Sequence, residues 1–207
     1  MSDQLAEQGA DAGVKQYRRE IRSAVRGVWS AALSWEDGWE SMDITIRRMF
    51  NKAFQDGAKS VGVLPAELTP EEKLKLRQTI QQETSYISGL LDAADAQSKA
   101  NKGKLTPLYK RVELWVQRYQ QIYTDGMMMA RGDPKLKWVY SHTVRNHCSS
   151  CQTLNDKIKR KSQWDKSGLR PQSPNLECMR SAAPVTVCQC HFEPTTEPAS
   201  RGPLPRA

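Results

Sequence analysis

The stretch CSSCQTLNDKIKRKSQWDKSGLRPQSPNLECMRSAAPVTVCQC, residues 148–190, holds every cysteine of the chain. The pattern is Cys148-x-x-Cys151, then Cys178, then Cys188-x-Cys190, and the first 147 residues contain none. A Cys-x-x-Cys turn lets two thiolates face one point. Cys-x-Cys on an extended segment puts two sulfurs on one side, because strand side chains alternate. Two such jaws close a tetrahedral sulfur site of the kind Zn2+ prefers. The expectation is a structural zinc knuckle drawing its four ligands from Cys148, Cys151, Cys178, Cys188 and Cys190, with the metal supplying folding energy. Disulfides or plain buried thiols are the alternative. The odd count argues against a complete disulfide set, and no secretory signal is visible. His142, His147 and His191 lie near enough to substitute for a cysteine, with His147 read as a rim residue.

The same stretch is the basic part of the chain. Residues 131–190 carry a net charge of +7 out of the total +8, whereas residues 1–130 carry +1 and residues 191–207 are neutral. Lys157, Lys159, Arg160 and Lys161 are the densest part and are the candidate contacts to a polyanion such as DNA. A solvated basic loop, or docking on an acidic protein face, is the competing reading. A mean hydropathy of -0.69 and the lack of a long apolar run leave no expected membrane span.

Upstream, the pattern is helical. Residues 1–13 read as a disordered tail and residues 14–130 as a helical domain. Val14, Tyr17, Ile21, Val25 and Val28 recur at three- and four-residue steps. Ser34 caps a second helix reaching about Ser60, with Ile46, Phe50, Ala53 and Phe54 on its stripe. Thr69-Pro70-Glu71-Glu72 is a capping box opening a third helix through Ala94, and Thr106-Pro107 opens a fourth that ends at Met127-Met128-Met129. The methionine run reads as core filler. Arg131-Gly132-Asp133-Pro134 reads as a turn, its Arg-Gly-Asp a chance tripeptide.

Residues 131–194 are expected to form a basic, cysteine-rich β subdomain. Leu136 to Ser141 reads as a strand. Gln152 to Leu154 and Lys157 to Lys159 read as two arms of a hairpin turning at Asn155-Asp156. Val185 to Phe192 reads as a last strand. Residues 195–207, rich in proline, read as a disordered tail. The predicted fold class is mainly α: a bundle of about four amphipathic helices, then a small zinc-knuckle-like β-hairpin unit.

Trp138, Cys148-x-x-Cys151, Leu154, Trp164, Pro171, Pro174, Cys178, Cys188-x-Cys190 and Pro194 together resemble the C-terminal half of phage minor head proteins, the Mu F-type or phage head morphogenesis family. Gly126-Met127 near the end of the last helix agrees in kind. The resemblance covers most of residues 14–194, and only 138–194 carry specific motifs. There are departures. Leu154-Asn155-Asp156 stands for a usual Leu-Asp-Gly, Cys188-Gln189-Cys190 for Cys-Arg-Cys, and Pro174-Asn175 lacks a preceding histidine. They leave the ligand set open. The resemblance implies a structural protein of a tailed phage virion, made in the host cytoplasm and placed near the portal or inside the head. It also implies portal or capsid proteins as partners, and DNA. The alternative function is a zinc-knuckle nucleic-acid-binding protein. No enzyme is expected: the His-x-Glu of zinc deaminases is missing, and the C-terminal carboxylates Asp156, Asp165 and Glu177 are scattered.

Overall fold

The structure is a computed structural model, and it describes residues 2–140, 148–173, 176 and 190–205, with side chains from residue 12 onward. It is mainly helical, with a small three-stranded antiparallel sheet. Five helices come first: α1 (Ser2–Trp29), α2 (Trp35–Ser60), α3 (Pro70–Thr84), α4 (Ile87–Ala96) and α5 (Leu105–Met127). β1 (Lys135–Val139), α6 (Ser149–Leu154), β2 (Ile158–Arg160), α7 (Lys161–Ser167) and β3 (His191–Pro194) follow. Among the described residues no helix is long and apolar enough to cross a membrane.

Local chemistry starts α2 and α3 where the sequence expects, whereas α5 starts at Leu105 with no side-chain cap, so that Thr106 lies inside it. The Ser34 hydroxyl accepts from the Asp37 amide at 3.0 Å. At Thr69 the capping box is complete, since the Glu72 carboxylate also accepts from the Thr69 amide at 2.8 Å. α1 begins at Ser2, inside the stretch read as a disordered tail. The expected third helix is two. The Thr84 and Ser85 hydroxyls donate to the carbonyls of Gln81 and Gln82, competing with the helical ladder, and the axis breaks before Ile87.

α1, α2 and α5 pack on one another around Tyr17, Ile21, Ile46, Phe50, Val112 and Val116, all fully buried. The Tyr17 ring lies 5.6 Å from that of Phe50 and 5.5 Å from that of Tyr119. α2 and α5 cross at two glycines. A Cβ on Gly57 would stand 2.0 Å from the Tyr123 carbonyl oxygen, and one on Gly126 2.1 Å from that of Phe54. Only glycine admits this backbone approach.

Met127 and Met128, at the end of α5, leave this core and enter a second one. There Leu136, Trp138, Cys151, Leu154, Trp164, Leu169, Leu176, Cys190 and Phe192 are buried together. The sheet order is β2-β1-β3. Leu136 faces Lys159 on one side, and Trp138 faces Phe192 on the other. Trp138 and Phe192 meet edge to face at 5.5 Å, and the Trp164 indole nitrogen donates to the Leu136 carbonyl at 3.1 Å.

Two expectations need correction here. The arm Gln152 to Leu154 is not a strand. Cys148 caps α6, its sulfur accepting from the Cys151 amide at 3.4 Å, and the 152–154 backbone stays helical. β2 pairs with β1 instead, so the unit is a three-stranded sheet and not a hairpin. The C-terminal segment is not loose along 195–202. The Ser200 amide donates to the Ile158 carbonyl at 2.8 Å, and the Ile158 amide donates to the Ser200 hydroxyl at 2.9 Å. Proline stiffens this strap without removing those bonds, so low hydropathy did not mean disorder. The expected strand positions 185–189 lie outside the described residues.

Candidate cysteine and basic-loop site

Cys148, Cys151 and Cys190 reach one end of the sheet by different routes. α6 carries the first two, one at its cap and one inside its first turn. Cys190 leads directly into β3. Cys151 and Cys190 are each 1% exposed and Cys148 is half-buried. Tyr140 stands among them, just past β1. Its phenol is pushed up from its ordinary value first by burial, then by the charge of Cys190, Cys151 and Cys148. The three sulfurs, from two separate segments, thus lie within electrostatic reach of one hydroxyl. The turn beneath them is fixed by polar bonds: the Tyr140 amide donates to the Asn155 side-chain oxygen at 3.1 Å, and the Asp156 amide donates to the Trp138 carbonyl at 2.9 Å. Asp156 takes the left-handed conformation, φ 59°, that glycine adopts most readily.

The donor set suits a thiophilic metal in kind, and three of its five members, Cys148, Cys151 and Cys190, fall among the described residues. Among the described residues no group of three or more His, Cys, Asp or Glu side chains is spaced to hold an ion. Cys178, Cys188, His142 and His147 lie outside the described residues. His191 points its Nε2 at Glu193, 2.9 Å away, while its Nδ1 is buried with no hydrogen-bond partner among the described residues.

The basic loop does not present four cations to solvent. Lys159 is 5% exposed, and its ammonium donates to the carbonyls of Ser200 and Gly202. This corrects its place among the phosphate contacts. β2 turns it to the Leu136 side, and the C-terminal strap supplies the oxygens a buried ammonium needs. Lys157 and Arg160 remain exposed. Arg160 donates to the Asp133 carbonyl at 3.1 Å, and Lys161 pairs with Asp165 at 2.8 Å. Other cations of the segment are likewise paired: Lys137 bridges Asp156 and Glu197, and Arg170 bridges Asp165 and Asp125.

The Arg-Gly-Asp turn is structural. Arg131 pairs with Glu72 at 2.5 Å, and both Asp133 carboxylate oxygens cap α7 through the Ser162 amide and hydroxyl at 2.8 Å. A second concentration of positive charge sits on α1. Net charge per segment hides it, because acids on other faces cancel the sum. Charge read at helical spacing reveals it. Comparison of the chain with protein-family models, with curated proteins and with solved structures gives no match.

Proposed function

We propose that this chain is a minor structural protein of a tailed-phage virion, of the head morphogenesis kind, held at the portal vertex or inside the head. It acts there in head assembly and in packaging or delivery of DNA, with portal or capsid protein as its partner. One observation supports the reading above all. Trp138, Cys151, Leu154, Trp164 and Cys190, which carry the sequence resemblance, are buried together in one small core around β1. A motif that builds a single physical unit is harder to produce by chance than one scattered over a chain. The test is proteomic. In gradient-purified virions from the host that makes this chain, peptides of it are expected at a few copies per particle. Their absence from virions that contain the portal protein overturns the proposal.

The metal reading is part of the same proposal. Cys148, Cys151 and Cys190, with one of Cys178 or Cys188, would hold structural Zn2+ and tie α6 to β3. Elemental analysis of protein purified without chelator is expected to give about one zinc per chain. Less than about half an equivalent in folded protein counts against it. With Lys159 withdrawn, Lys157, Arg160 and Lys161 are the loop's phosphate contacts. Replacing those three by glutamine should flatten the salt dependence of duplex binding by about 2.7 units, at roughly 0.9 per contact.

A further inference from the structure

Residues 1–130 are almost neutral in sum, yet from residue 15 onward α1 sorts its charges by face. Lys15, Arg18, Arg19, Arg22 and Arg26 recur at three- and four-residue steps. At 3.6 residues per turn they share an arc of about 100°. The neighbouring arc sends Tyr17, Ile21, Ala24, Val25 and Val28 into the core. Glu20 faces away from the row, taking Arg48 and the Thr45 hydroxyl from α2.

α5 supplies the second wall. Together they form a groove of about 440 Å3 lined by those five cations and Tyr109. Glu113 of α5 accepts from Arg18 at 3.1 Å and from Arg22 at 2.7 Å. One carboxylate thus serves two guanidinium groups and leaves the row positive. Arg19 and Arg26 are exposed and have no ion-pair partner among the described residues. The Arg22 guanidinium lies 4.8 Å from the centroid of the Tyr109 ring.

We propose that the α1–α5 groove binds a single strand of nucleic acid, with Arg19 and Arg26 on phosphates and the face of Tyr109 away from Arg22 stacking on a base. Three features favour this ligand. Four of the five cations are arginine, whose planar fork matches phosphate oxygens. Arg19, Arg22 and Arg26 follow at steps of three and four residues, about 4.5 and 6 Å along the axis, a line that a string of backbone phosphates can track. An aromatic ring stands in the same row, and stacking is what an unpaired base adds to backbone attraction. An acidic protein surface would have no use for the ring. The inference rests on α1 and α5 alone and does not depend on the virion reading or on the basic loop.

The test is fluorescence anisotropy of a labelled 20-nucleotide oligothymidine with the full chain, at several salt concentrations. Arg19→Gln with Arg26→Gln alters exposed side chains, so circular dichroism should be unchanged. The salt slope should flatten by about 1.4 units, at roughly 0.7 per phosphate on a single strand. Tyr109→Leu should weaken the oligothymidine about tenfold, with a smaller effect on a duplex of equal length. The loop variant Lys157→Gln with Lys161→Gln is the control. An unchanged slope in the α1 variant overturns the proposal, whatever the loop variant does. So does competition by polyglutamate as effective as that by unlabelled oligothymidine, which would assign the groove to an acidic protein.

Discussion

The helical body and the sheet unit reach burial by different means. In the body each long helix contributes an apolar stripe, and the core is mostly aliphatic with Tyr17, Phe50 and Tyr119 at its centre. In the sheet unit the strands are three to five residues long, and Trp138, Trp164 and Phe192 fill most of the space. The body is set by short-range signals: caps three residues away, stripes at helical spacing. The unit is set by long-range ones. Leu136 pairs with Pro194, and Asp133 caps a helix that starts at Lys161. So small a core gains from outside support, here two methionines of α5, a C-terminal strap and the cysteines.

The sharpest way to break this contrast is to remove Trp164. It is fully buried and touches both Trp138 and Phe192, at 5.7 and 5.0 Å. Trp164→Ala should cost about 3–5 kcal/mol. Urea unfolding followed by near-ultraviolet and far-ultraviolet dichroism should show the sheet unit lost while helicity persists. If both signals fall together, the two cores form one cooperative unit and the contrast is only one of composition.

Gly126→Ala tests the seam. Its Cβ would collide with the Phe54 carbonyl, which the α2 backbone cannot move cheaply. The expected cost is about 1–3 kcal/mol. Because Met127 and Met128 follow directly into the second core, both regions should lose stability in the same denaturant titration.

These two sites also show what was legible in the sequence. The helices of the body were, because periodicity and caps act within a few residues. The errors there include the start of α1 at Ser2 and Thr106 lying inside α5 rather than capping it. Another, the continuous third helix, arose where Thr84 and Ser85 hydroxyls compete locally with the ladder. The crossing at Gly57 and Gly126 was not legible, since a glycine says nothing about which backbone approaches it. In the sheet unit the strand at Trp138 was readable from alternation. Its partner was not: Gln152 to Leu154 carries no sign that the Cys148 sulfur will cap a helix there. Lys159 misled for a related reason. Sequence shows a cation among cations, and only the strap at Ser200 turns it inward.

Cutting the chain after Pro194 isolates that strap. The Lys159 ammonium would lose the Ser200 and Gly202 carbonyls, and the Ile158 amide its hydroxyl partner. The expected destabilisation is about 1–3 kcal/mol. Lys159→Met in the shortened chain should recover part of it, because the stranded charge is then gone. No recovery in chemical denaturation would mean that the ammonium reaches water without the strap.

The smallest effect is a pH dependence at the turn joining the two regions. Arg131 beside Glu72 holds that carboxyl at about 2, below its ordinary 4.5, with the Thr69 cap adding to the effect. The folded value lies below the unfolded one. The pair therefore adds stability above about pH 4.5, and that stability drains away as pH falls towards 2. Glu83 and Asp125 run the other way. Burial pushes both up against the pull of their basic neighbours, so their contributions fade as pH rises through their folded values. The two trends can be separated by difference. Arg131→Gln removes the partner of Glu72 but leaves Glu83 paired with Arg118 at 2.8 Å. Subtracting its stability curve from that of the parent chain, point by point in pH, should give a difference that shrinks below pH 4.5. It should be level near neutrality. A difference that instead stays level on acidification would show that Arg131 matters through its bond to the Glu67 carbonyl, which does not titrate, and not through Glu72.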